Sequence, residues 1–122
     1  MRVFLAGASG AIGRSLVPKL VAAGHEVTGM TRSERKTDAI REAGARAVVV
    51  DVFDAGSLSD AFAEVRPEVV VNQLTALPDR FQPRKKDLYD ATNQVRSVGT
   101  SNLITAARAV GTRRFICQSI AL

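Results

Sequence analysis

The chain has 122 residues, of which 46% are hydrophobic and 24% are charged, and this composition is typical of one folded domain and excludes a disordered protein. No apolar stretch approaches the roughly 20 residues of a membrane-spanning helix, and the single cysteine, Cys117, excludes an intrachain disulfide. The net charge of +5 comes from scattered basic residues without interleaved aromatic side chains, which argues against nucleic-acid binding. With no export signal or disulfide framework, we expect a cytoplasmic protein.

Strand and helix patterns alternate along the chain. Five short apolar runs predict strands, at residues 2–6, 26–30, 46–51, 68–73 and 114–119. The runs are nearly continuous, as in parallel sheets that are covered on both faces. Helical patterns lie between them, at residues 12–23, 34–43, 57–65 and 86–110. The alternation predicts an α/β fold, a doubly wound, five-stranded parallel sheet of Rossmann type in the order 3-2-1-4-5, with helices on both faces.

Local signals mark several helix boundaries. Glycines stand where helices are expected to end, at Gly24, Gly44 and Gly111. Ser57 and Asp60 have the spacing of a capping box, which predicts a helix that starts after Ser57. Pro18 lies inside the first helical pattern and predicts either a kink or a later helix start.

A glycine-rich stretch, Gly-Ala-Ser-Gly-Ala-Ile-Gly at residues 7–13, separates the first strand from the first helix. Glycines let the backbone turn sharply and approach a ligand, and the free N–H groups at the positive end of the helix then face its phosphates. The stretch therefore predicts a pyrophosphate site of a dinucleotide. The contacting residues are predicted to be Gly7, Ser9, Gly10, Ala11, Ile12 and Gly13.

The residues after the second strand bear on cofactor choice. Many NAD-binding sheets place an acidic side chain here, which accepts hydrogen bonds from the ribose 2′-hydroxyl. This chain has Thr31, Arg32 and Ser33, with no carboxylate before Glu34. Arg32 can form charge-assisted hydrogen bonds to a 2′-phosphate, with the two hydroxyls as further donors. The pattern favours NADP(H) over NAD(H), and a solvated basic turn is the alternative.

The third and fourth strands end in polar residues. Asp51 can accept a hydrogen bond from the adenine amino group while the backbone of Val52 meets the ring edge. Alternatively, Asp51 and Asp54 cap the turn into the third helix. The fourth strand ends beside the glycine stretch in this strand order, so its last residues are predicted to line the crevice near the ribose and nicotinamide. These residues are Asn72, Gln73 and Leu74.

The glycine stretch, the Asp51-Val52 pair and residues 92–104 together resemble the extended or atypical short-chain dehydrogenase/reductase superfamily, in its NAD-dependent epimerase/dehydratase branch. Residues 113–121 resemble the fifth strand of that branch. The similarity covers nearly all of residues 1–122 but only the N-terminal half of a usual member. We therefore expect one NAD(P)-binding domain that is truncated after strand five. Further sequence would then complete a site for a small-molecule substrate.

The resemblance also implies a catalytic apparatus. Ser119 matches the active-site serine, which orients the carbonyl or hydroxyl of the substrate. The general acid/base of the family is a tyrosine with a lysine four residues later, whereas Tyr89, the only tyrosine, is followed at that spacing by Asn93. A tyrosine with a pKa of about 10 needs a nearby cation to transfer protons at neutral pH. Ser119 alone cannot replace that pair.

Two functional hypotheses follow from the missing pair. The chain is the NADP(H)-binding part of an oxidoreductase or a sugar-nucleotide-type epimerase/dehydratase, inactive alone, or it is a non-catalytic NADP(H)-binding module or redox sensor. A structural domain without nucleotide ranks last, because it would leave Gly10 and Gly13 with only a packing role. An uncovered fifth strand and the apolar faces of residues 86–110 also predict a homodimer.

Overall fold

Five parallel strands form one sheet in the computed structural model, which describes residues 1–8, 11–73 and 98–117. The strands are β1 (Arg2–Ala6), β2 (Glu26–Thr31), β3 (Arg46–Val49), β4 (Val69–Asn72) and β5 (Arg114–Cys117). They pair in the order β3-β2-β1-β4-β5, and every pairing is parallel. The predicted fold class and strand order are confirmed.

Helices connect these strands on both faces of the sheet. In chain order they are α1 (Ala11–Ala22), α2 (Thr37–Glu42), α3 (Ala55–Val65) and α4 (Thr100–Ala109), and a 3-10 turn (Glu34–Lys36) leads into α2. The helix predicted at residues 34–43 is therefore divided into two short elements. The first part of the helix predicted at residues 86–110 and the last two residues of the predicted fifth strand lie outside the described residues.

Alternate residues of β1 pack into two separate cores, because successive side chains of a strand point to opposite faces. Phe4 packs on the side of α3 and α4, where its ring centroid lies 4.5 Å from that of Phe62. Leu5 packs on the other side, with Val17 of α1 and Ile40 of α2. Both faces of the sheet are thus covered, which explains why consecutive buried apolar residues occur in β1 and β4.

Two predicted helix starts differ from the structure. Asp54 is the N-cap of α3, since its carboxylate accepts a hydrogen bond from the backbone N–H of Ser57 at 3.1 Å. The capping-box interpretation of Ser57 and Asp60 is therefore wrong, and the helix starts two residues before Ser57. The later start considered for the first helix is also wrong, because α1 begins at Ala11 and contains Pro18. The glycines expected at helix ends do follow α1, α2 and α4, with φ angles of 90°, 96° and 73°.

Candidate dinucleotide-binding site

The carboxyl ends of four strands meet along one edge of the sheet. The pairing aligns Ala6 of β1 with Met30 of β2 and with Asn72 of β4, and it aligns Met30 with Val48 of β3. The predicted contact residues within four positions after this row therefore lie at one edge of the sheet: Gly7, Thr31, Arg32, Ser33, Asp51, Val52 and Gln73. Strand order reverses between β1 and β4, and doubly wound sheets bind ligands in the crevice at this point.

The bend after β1 is anchored to the neighbouring strand. Gly7 has a φ of 84°, a left-handed conformation that only glycine adopts without strain. The next residue, Ala8, is buried and donates its N–H to the carbonyl of Met30 at 3.1 Å. Gly29 makes room for this contact, since a Cβ on Gly29 would lie 2.7 Å from the Cβ of Ala8. The chain therefore leaves β1 in a fixed direction.

The first turn of α1 packs directly on that bend. A Cβ on Gly13 would collide with the carbonyl oxygen of Gly7 and would lie 2.8 Å from the Cα of Ala8. This is the close helix–strand packing that the third glycine of a dinucleotide motif permits. Ser9 and Gly10 lie outside the described residues, and Ala11 and Ile12 are described only as the start of α1. Cofactor contacts at these four positions stay predictions.

The turn after β2 holds a buried threonine beside an exposed arginine. The hydroxyl oxygen of Thr31 accepts a hydrogen bond from the N–H of Ser33 at 3.2 Å, and its carbonyl accepts one from the N–H of Val50 at 3.0 Å. Arg32 stands between Thr31 and Ser33 in the chain. It is exposed and forms no salt bridge with any residue in the described ranges. Thr31 thus shapes the turn, and the guanidinium of Arg32 is accessible to an anion.

Hydrogen bonds to two carboxylates order the turn between β3 and α3. Oδ1 of Asp51 accepts the N–H of Phe53 at 2.9 Å, and the carbonyl of Asp51 accepts the N–H of Asp54 at 2.9 Å. The hydroxyl of Ser57 donates to Asp54 at 2.7 Å, and this bond, together with the bond from the Ser57 N–H, holds the pKa of Asp54 below its ordinary value. The alternative in which both aspartates order the turn therefore has direct support. The adenine contact of Asp51 stays a prediction.

The fourth strand ends in a polar residue that has a partner inside the protein. Asn72 is 7% exposed, and its Nδ2 donates to the hydroxyl of Thr100 at 3.0 Å. The N–H of Gln73 donates to the carbonyl of Ala6 at 2.9 Å. This bond extends the hydrogen bonding between β1 and β4 as far as the bend after β1. Asn72 thus ties β4 to α4, a role beyond the predicted cofactor contact. Leu74, Ser119 and Tyr89 lie outside the described residues.

Sequence reasoning missed a residue of α4 that contacts this site. Nδ2 of Asn102 donates to the carbonyl oxygen of Val52 at 2.8 Å, across 50 positions of the chain. Gly99, one turn earlier, packs on the side chain of the same residue, since a Cβ on Gly99 would lie 3.0 Å from Cγ1 of Val52. In the sequence, residues 99–103 contribute only to the family resemblance. Nothing in their local pattern indicates the hydrogen bond from Asn102 to Val52.

A metal-binding group and a membrane-spanning helix are both absent from residues 1–8, 11–73 and 98–117. These ranges contain no group of three or more His, Cys, Asp or Glu side chains placed to hold a metal ion. None of the helices described there has the length and apolar character needed to cross a membrane.

The chain is similar to known proteins in sequence. Residues 7–122 match a family model described as NAD(P)H-binding. The chain is 44% identical over 122 residues to the 3-diazoavenalumate denitrifying reductase of Streptomyces sp. The match covers 99% of this chain and 38% of that protein. The chain is 32% identical over 120 residues to a photosystem II assembly factor of Synechocystis sp., covering 98% of this chain and 34% of that protein.

A solved structure extends the comparison to three dimensions. The crystal structure of the UDP-glucose 4-epimerase of Thermus thermophilus in complex with NAD matches with a TM-score of 0.73 at 29% identity. The match covers 94% of this chain and 36% of the epimerase. The chain thus spans between 34% and 38% of the length of these three proteins.

Proposed function

Because the chain belongs to the NAD(P)H-binding family, we propose that residues 7–13 bind the pyrophosphate of NADP(H). The resemblance to the NAD-dependent epimerase/dehydratase branch of the extended short-chain dehydrogenases/reductases is confirmed by the same set of matches. The observation that carries the proposal is the packing of Gly13 on Gly7. This contact brings the start of α1 against the bend, at the edge where the four strands end.

The charge at the start of α1 fits a pyrophosphate. The first N–H groups of a helix have no acceptor within the helix, and they form its positive end. The first turn of α1 contains no acidic residue that would neutralise this end. With Gly7 turning the chain away from β1, an anion at the bend meets backbone donors and no side-chain carboxylate from this turn.

Arg32 supports a preference for NADP(H) over NAD(H). Its side chain is exposed at the carboxyl edge, and Arg35 and Lys36 add positive charge within one turn. A guanidinium binds a phosphate through paired, charge-assisted hydrogen bonds, whereas a carboxylate in this position would repel it. The Thermus epimerase was crystallised with NAD, so cofactor choice has to be measured on this chain. Parallel calorimetric titrations with NADPH and NADH test it, and we expect the tighter binding with NADPH.

We propose that residues 1–122 bind the cofactor without turning it over. A bound nicotinamide supplies hydride transfer, and Ser119 is the residue that we expect to orient a substrate beside it. The sequence contains one tyrosine, Tyr89, and no Tyr-x-x-x-Lys pair. Oxidoreductase or sugar-nucleotide-type epimerase/dehydratase activity therefore requires a proton-transfer pair in addition to these residues.

A non-catalytic NADP(H)-binding module or redox sensor is the second candidate. It is favoured by the 32% identity to a relative that is named as an assembly factor rather than as an enzyme. The two candidates differ in turnover by the whole protein. NADPH oxidation with a carbonyl substrate, or interconversion of a sugar nucleotide, supports the enzyme, and NADPH binding without either reaction supports the module.

We also propose a cytoplasmic homodimer. β5 lies at one end of the strand order, and Ile116 on this strand is 49% exposed. An apolar edge strand of this kind favours association with a second chain. Light scattering should give twice the monomer mass, and Ile116→Lys should shift the protein toward the monomer.

A further inference from the structure

One peptide group at the turn after β3 is held on both sides. The carbonyl oxygen of Val52 and the N–H of Phe53 belong to the same planar peptide unit. Asn102 donates Nδ2 to that carbonyl at 2.8 Å, and the N–H donates to Oδ1 of Asp51 at 2.9 Å. The three groups form a continuous series of hydrogen bonds in which each bond polarises the next.

This series fixes the orientation of an exposed carboxylate. Oδ1 of Asp51 is occupied by the backbone, so the second oxygen, Oδ2, remains to accept a hydrogen bond from a ligand. Burial of Val52, together with the close contact of Gly99 with its side chain, keeps the peptide plane from rotating. The exposed carboxylate is thus aligned by a residue on a different element, α4.

We propose that Asn102 is a positioning residue for adenine recognition, acting through the Val52–Phe53 peptide on Asp51. The proposal rests on the proposed function, because it assigns the Asp51 end of the site to the adenine ring. An aligned Oδ2 accepts a hydrogen bond from the 6-amino group of adenine. A base that carries a carbonyl at that position offers an acceptor to an acceptor, and the carboxylate repels it.

The test compares NADPH with its hypoxanthine analogue, in which the 6-amino group is replaced by a carbonyl. The wild-type protein should bind NADPH roughly tenfold more tightly than the analogue, which is the effect of one hydrogen bond to a charged group. Asn102→Leu removes the amide and keeps the size of the side chain. It should reduce this preference to about twofold or less, because Asp51 is no longer aligned. A merely structural role would weaken both ligands equally and leave the preference unchanged.

Thr112→Val is the matched control. The hydroxyl of Thr112 donates to the carbonyl of Pro67 at 2.9 Å, at the opposite edge of the sheet. This variant also loses one hydrogen bond from a side chain to the backbone, and it should keep the wild-type preference. Gly99→Ala is a second route, since its helical φ and ψ of −62° and −45° accept alanine while the new Cβ displaces Val52. Gly99→Ala should reduce the preference in the same way, and it replaces Asn102→Leu as the test if that variant fails to fold.

The outcomes separate this inference from the function on which it rests. If the wild-type protein binds neither nucleotide, the proposed function fails and the inference fails with it. If it binds NADPH but does not discriminate against the analogue, or if folded Asn102→Leu retains the preference, only the positioning role is overturned. Loss of the preference in folded Asn102→Leu, with Thr112→Val unchanged, establishes that role. Where Asn102→Leu does not fold, Gly99→Ala decides in its place: loss of the preference supports the role and retention overturns it.

Discussion

Gly13 lies against the carbonyl of Gly7 so closely that no side chain fits between the first turn of α1 and the bend after β1. The contact joins two elements whose relative position decides where backbone N–H groups meet a ligand. A helix that stood farther from the bend would leave a gap at the point where a pyrophosphate is expected. The glycine at this position is therefore a geometric requirement of the proposed site.

Gly13→Ala tests that requirement. The added methyl group overpacks the contact, and we expect the free energy of unfolding to fall by about 1–3 kcal/mol. We expect the dissociation constant for NADPH to rise roughly tenfold or more, the equivalent of one lost charge-assisted hydrogen bond. Thermal unfolding and calorimetric titration measure the two effects.

Gly56→Ala is the control for this substitution. A Cβ on Gly56 would meet only an oxygen of Asp54, at an ordinary distance of 3.6 Å, and the residue lies in the first turn of α3. Because alanine favours helix over glycine, this variant should keep its stability and its affinity. Wild-type affinity in Gly13→Ala would show that the tight packing has no part in binding.

Arg32→Asp tests the cofactor preference. Removing the guanidinium and adding a carboxylate should lower the ratio of NADPH affinity to NADH affinity by about tenfold or more. Arg108→Asp makes the same change in charge on an exposed residue of the last turn of α4, and it should leave the ratio unchanged. Parallel titrations with both cofactors give the ratio, and an unchanged ratio in Arg32→Asp would reject the role of this turn.

The cap of α3 gives a prediction on pH. Since the folded-state pKa of Asp54 lies below the ordinary value of 3.8, its carboxylate stabilises the fold fully above that value. This contribution is lost as the pH falls through the lower folded-state pKa. Asp54→Ala should therefore lower the Tm at neutral pH, and the difference from the wild-type protein should shrink below pH 3.8.

Asp60→Ala is the control, because a capping box would make Asp60 as important as Asp54 for the start of α3. In the structure Asp60 lies within the helix, five residues after its start at Ala55. Its removal should change the Tm little at either pH. Equal losses of Tm in the two variants would restore the capping-box interpretation.

The fold could be predicted from the sequence because its signals are local and repeat along the chain. Short apolar runs such as residues 69–71 indicate strands that are buried on both faces, and the alternation of such strands with helical patterns leaves few possible topologies. The structure confirms the strand order. The start of α3 could not be predicted because two cap candidates have the same spacing, Asp54 with Ser57 and Ser57 with Asp60. Only the position at which the chain leaves β3 decides between them.

The site could be predicted in part. Gly7 and Arg32 come within two residues after a predicted strand, and Asp51 is the last residue of one, so parallel topology alone brings them to one edge. Asn102 could not be found in this way, because its partner, Val52, is 50 positions away and the hydrogen bond depends on how α4 packs beside the turn. Contacts between distant elements carry no periodic signal in a single sequence.

The measurement that bears most directly on the pyrophosphate site is a titration of the isotope-labelled protein with NADPH, followed through its backbone amide resonances. We predict saturable binding with the largest shifts at the amides of residues 7–13, where the N–H groups meet the phosphates. The resonances of amides at the opposite edge of the sheet, such as that of Glu68, should not shift. Unmoved resonances of Gly7, Ala8 and Gly13 at saturating NADPH would contradict the assignment of the bend as the phosphate site.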